Sequence, residues 1–94
     1  MAVRYVWDPD KAKENLRKHG VAFEEAATVF DEDHVVLPDG GGEDRLVAIG
    51  PSAANRLLVV VHIERDEHVV RIVSARNAER REAREYVAAL SGEG

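Results

Sequence analysis

The stretch VVRIVSARNAERREAREY, Val69 to Tyr86, changes periodicity halfway along and so decides the fold. Its first part is rich in β-branched residues and reads as a buried strand, His68–Ser74. Its second part places Ala83, Tyr86, Val87 and Leu90 at helical spacing and reads as a helix over about Ala78–Leu90, with Asn77 as N-cap. Arg71, Arg76, Arg80, Arg81 and Arg84 supply five of the thirteen Lys and Arg residues of a chain whose net charge is −5. Guanidinium groups are planar, permanently charged and matched to phosphate. A strand-to-helix junction that gathers them points to a local anion site.

Upstream, Val3–Trp7 is a short strand. Asp8 and Pro9 then open a helix as N-cap and first helical residue, and the helix closes on Lys18, His19 and Gly20. Phe23, Ala26, Ala27 and Phe30 give a second helix, whose start lacks a side-chain cap at Ala22. Val35–Leu37, Arg45–Gly50 and Arg56–Glu64 follow as strands. Asp39–Asp44, with Gly40, Gly41 and Gly42, joins the first pair, and Arg65–Glu67 turns the chain into the last strand. The order predicts an α+β fold: a mostly antiparallel sheet with two N-terminal helices and a C-terminal helix, all packed on one face. Residues 1–94 form one domain.

Composition narrows the function classes. With 45% hydrophobic and 33% charged residues the chain is expected to be globular, and without cysteine it has no disulfide or thiolate chemistry. Neither a secretory leader nor a membrane-spanning run is visible, so a cytoplasmic protein without a membrane partner is expected. Residues 71–94 alone are net positive, with 5 basic against 4 acidic groups. Any polyanion contact is therefore local. The four histidines show no ligand spacing, so neither a metal nor another cofactor is expected.

Two constellations carry chemistry. Lys11, Asn15 and Lys18 fall on one helix stripe beside His19. The stripe either reaches RNA phosphates, or holds the sheet in place, or is an ordinary solvated face. In the sheet, pairing Glu64 with Val69 sets His62 opposite Arg71, with Glu64 on the same face. An imidazole can move a proton and an arginine can stabilise a pentavalent phosphorane; the alternative is a cross-strand polar cluster facing solvent. Arg76 lies at the strand end, suited to phosphate or to an inter-element salt bridge. Arg80, Arg81 and Arg84 alternate with Glu79, Glu82 and Glu85 in the manner of a solvated helix, with Arg80 also a candidate RNA contact.

Trp7-Asp8, Lys11, Asn15, Lys18-His19-Gly20, Phe23–Ala26 and Phe30 together resemble the head of the BrnT family of type II toxins. The resemblance continues through Arg45–Gly50, Leu57–His62, Arg71–Arg76, Ala78, Arg81-Glu82 and Tyr86. It implies a RelE-like fold and a metal-independent ribonuclease that blocks translation. It also implies a cognate ribbon-helix-helix antitoxin, a hetero-oligomeric complex with it, and DNA contact only through that antitoxin. On residue chemistry, His62 or Glu64 is the candidate base, and Arg71 and Arg76 hold the non-bridging oxygens. Lys18 or His19 assists, and Lys11, Asn15 and Arg80 contact RNA. A competing reading is a non-catalytic module that binds a DNA-binding antitoxin and co-regulates its operon. A stand-alone RNA-binding regulator is disfavoured, because the few aromatics look committed to the core.

Overall fold

The structure, a computed structural model, describes residues 3–42 and 44–92. Glu43, inside the glycine-rich connection, lies outside the described residues. The elements run β1 (Arg4–Val6), α1 (Pro9–His19), α2 (Phe23–Ala27), a 3₁₀ turn (Thr28–Asp31), β2 (Val35–Pro38), β3 (Arg45–Pro51), β4 (Leu57–Asp66), β5 (Val69–Asn77) and α3 (Arg80–Leu90).

Local chemistry explains α1. The Asp8 carboxylate accepts from the Asp10 N–H at 2.8 Å, Pro9 opens the helix, and Gly20, at φ 68°, donates back to the Leu16 carbonyl at 2.9 Å. The second helix is shorter than its apolar spacing predicts. The Thr28 hydroxyl donates to the Glu25 carbonyl and the chain tightens into the 3₁₀ turn. Its fully buried set is consequently Phe23, Ala26 and Val29, a period of three. Ala27 and Phe30 are only partly buried.

The five strands form one mixed sheet in the order β1-β5-β4-β3-β2. Three pairings are antiparallel; β1 runs parallel to β5, so the first and last strands are neighbours. Val21, Phe23, Ala26 and Val29 pack on Ala48, Leu58, Val60, Val70, Ile72 and Ala75, which form the main core.

The opposite face carries the cross-strand row Val35, Ile49, Val59 and Arg76. Ile49 and Val59 are 2% and 4% exposed, and Arg76 holds Glu82 of α3. Thus α3 covers that second face, rather than joining α1 and α2 on the first. Its start is also displaced. Because β5 continues to Asn77, paired with Leu58, the N-cap is Glu79 and not Asn77. Glu79 and Glu82 form a reciprocal capping box. Of the expected stripe, Ala83 and Tyr86 turn inward while Val87 and Leu90 stay 63% and 50% exposed.

Candidate functional site

β1 covers β5 only along Val69–Arg71, leaving the rest of that strand edge free. There α1 takes over. The Asn15 amide donates to the carbonyls of Ala75 (2.8 Å) and Val21 (2.9 Å) and accepts from the Ala75 N–H at 3.0 Å. A side-chain amide therefore stands in for a neighbouring strand. Asn15 is 5% exposed with its polar atoms turned inward, so it is not on the solvent stripe expected from spacing. Of the readings of that stripe, holding the sheet describes it.

This clamp sets the last turn of α1 beside the end of β5. Between them opens a pocket of about 470 Å³, lined by Lys18, His19, Arg76, Asn77 and Glu79. A smaller one of about 190 Å³ adjoins it, sharing Lys18 and His19 and reaching Lys11, Val73 and Ser74. Among the described residues Lys18 is constrained only by Glu14 at 3.7 Å, an exposed pair of little energetic weight, since water screens it and two long side chains must be ordered to make it.

Arg76 is held firmly. It donates to both Glu82 carboxylate oxygens, at 2.8 and 2.7 Å, and to the Asn77 carbonyl at 3.2 Å. The paired guanidinium keeps the Glu82 carboxyl below the usual carboxylate range, and Glu82 in turn raises Arg76. Glu82 also accepts from the Glu79 N–H at 2.8 Å. One carboxylate thus caps α3 and orients Arg76. An arginine carries five N–H donors; three are used here, and the remaining two can meet an anion in the pocket.

Of the sheet cluster expected around His62, Glu64 comes within reach but Arg71 does not. The β4–β5 turn is Glu67-His68, and two bulges interrupt the ladder, with Arg65 as the extra residue on β4 and Val73 on β5. Between them Glu64 pairs with Val70, His62 with Ile72 and Ile63 with Arg71. This one-residue shift puts His62 and Arg71 on opposite faces. His62 is fully buried against the main core, edge-on to Phe30 at 4.9 Å, with Nε2 3.3 Å from Glu64 Oε2 and Nδ1 3.3 Å from the Val60 carbonyl.

His62 also pairs three β4 residues away from the row of Arg76, roughly 10 Å along the strand. Arg71 lies on the α3 side of the sheet, outside both pockets, and Arg80 is exposed at the start of α3. The structure therefore joins Lys18, His19 and Arg76, with Lys11 adjoining, and separates them from His62, Glu64 and Arg71. Glu82 and Glu79 were not candidates from sequence. Their signal was the Glu-x-x-Glu spacing of a capping box, hidden in the alternation of charges.

The model of the family described as "Ribonuclease toxin, BrnT, of type II toxin-antitoxin system" matches residues 7–82, and the chain belongs to that family. Among solved structures it is similar to the 1.1 Å crystal structure of the Brucella abortus ribonuclease toxin BrnT. The TM-score is 0.69 and the identity 25%, covering 84% of this chain and 100% of that one. No curated protein matches.

Proposed function

We propose that this chain is a metal-independent endoribonuclease that inhibits translation in the cytoplasm, with the Lys18–His19–Arg76 pocket as its phosphate site. The observation that carries this reading is the convergence of a lysine, an arginine and an exposed imidazole on one open pocket, beside Glu79. RNA supplies its own nucleophile. The 2′-hydroxyl attacks the adjacent phosphorus, the bond to the 5′-oxygen breaks, and a 2′,3′-cyclic phosphate and a 5′-hydroxyl end result. The protein must stabilise the phosphorane and move one proton each way. Lys18 and the two free Arg76 donors take the non-bridging oxygens, His19 handles the proton, and Lys11 extends the track along the strand. Arg71 and Arg80 belong to outlying parts of the RNA path.

The proton-transfer role moves from His62 to His19 because a fully buried ring beneath Phe30 cannot reach an RNA backbone. Activity would be neutralised by a ribbon-helix-helix antitoxin, the hetero-oligomer contacting DNA only through that partner. A RelE-like fold belongs to the same proposal. A second reading, a non-catalytic partner of a DNA-binding antitoxin, is favoured by one observation: Glu82 already occupies much of Arg76.

Incubating the purified protein with RNA, with and without EDTA, decides between them. Cleavage to 2′,3′-cyclic phosphate ends that EDTA leaves unchanged is the expected result. Intact RNA supports the module, and cleavage abolished by EDTA removes metal independence.

A further inference from the structure

A second, chemically opposite pocket lies at the other end of β5. It encloses about 250 Å³ between the Tyr5 and Phe30 rings, His34 and Val70, under a rim of Glu64, Asp66 and Glu67. Tyr5 and Phe30 lie 5.5 Å apart at 30°, and His34 meets Phe30 edge-on at 5.3 Å, so the aromatic walls are fixed by contact with one another. Val70 lines this pocket and Arg76 the phosphate pocket; six residues of strand put them roughly 20 Å apart.

The charge around the aromatic walls is uncompensated. Among the described residues no lysine or arginine bridges Asp66 or Glu67, and Glu64 meets only the His62 ring. Asp66 accepts from the His68 N–H at 2.8 Å and keeps its second oxygen. Asp31 lies close enough to Tyr5 to raise its hydroxyl pKa further, after burial, the larger cause. Arg4, the neighbour of Tyr5, points to the other face of the sheet by strand alternation.

Aromatic faces beneath a carboxylate rim suit a flat delocalised cation. It stacks on the rings while its edge donors reach the oxygens, and a guanidinium is less strongly hydrated than an ammonium. We propose that this pocket receives an arginine side chain from a basic segment of a protein partner. That the partner is an antitoxin rests on the toxin reading; the preference of the pocket for arginine does not. The two pockets then divide the labour. The phosphate pocket takes RNA, and the aromatic pocket anchors a partner without itself entering the phosphate site.

The test is an NMR titration of the full chain with acetyl-Gly-Arg-Gly-amide, against the same peptide carrying citrulline or lysine. The arginine peptide should shift Tyr5, Phe30 and Val70, with the other two binding at least about tenfold more weakly. Asp66→Asn/Glu67→Gln should weaken the arginine peptide at least about tenfold while RNA cleavage stays at the wild-type rate. Equal binding of citrulline or lysine overturns the proposal, as do shifts confined to other residues or the absence of any shift. If the wild-type chain does not cleave RNA, the ribonuclease reading falls, and the peptide result still decides the pocket.

Discussion

Arg76 and Glu82 meet through two parallel hydrogen bonds, and the same Glu82 carboxylate closes the first turn of α3. The pose of Arg76 in the pocket beside Lys18 and His19 is therefore tied to how α3 docks on the sheet. Glu82→Ala should cost about 1 kcal/mol of stability as a lost cap. It should also slow RNA cleavage about tenfold by freeing Arg76 to wander. Arg76→Ala should slow it about 100-fold, and the double variant no further, since both act through one group. Faster cleavage by Glu82→Ala would show instead that Glu82 competes with the phosphate.

His19 and His62 should separate chemistry from packing. His19→Ala is expected to leave stability within about 0.5 kcal/mol and to lower cleavage about 10²–10⁴-fold. His62→Ala opens a cavity beside Phe30 and should destabilise by about 2–4 kcal/mol. The fraction that remains folded should cleave normally. Urea denaturation with single-turnover cleavage measures both; wild-type activity in His19→Ala would remove it from the reaction.

Asn15 serves the fold. Removing its amide leaves the N–H and carbonyl of Ala75 unpaired in a buried place. Asn15→Ala should cost about 3 kcal/mol and roughly 15 °C in Tm. Asn15→Asp should not recover this, because a carboxylate offers no donor to the two carbonyls. A Tm within a few degrees of wild type for either variant would contradict the clamp.

Acid should weaken the fold through Glu25 and Glu82. Arg56 lowers the Glu25 carboxyl, helped by the Ser52 hydroxyl, and Arg76 lowers Glu82. A depressed folded pKa adds stability that is present above the unfolded value, about 4.3, and lost as pH falls through the folded one. The stability gap between wild type and Glu25→Gln should thus be flat from about pH 5 to 8 and shrink below about pH 4. Chemical denaturation across that range checks it; a gap that widens in acid reverses the assignment.

Local features were legible in the order of residues. Asp8, Pro9 and Gly20 bound α1 through contacts spanning no more than four residues, and the strand segments followed from β-branched runs between turn residues. The residues of the Lys18–His19–Arg76 pocket were legible as residue types, because basic side chains such as Lys18 and His19 favour a helix C-terminus and Arg76 closes a strand. Their meeting was not, since it depends on Asn15 grasping Ala75 sixty residues away.

Only the tertiary structure decided which histidine is buried, which face α3 covers and that β1 pairs with β5. The physical reason lies in the period of two along a strand. A single bulge residue changes which side chains share a face, and hydrophobic pattern alone does not report where the extra residue sits. By itself the sequence determined the elements and the chemical inventory; packing across the sheet decided which of those groups meet.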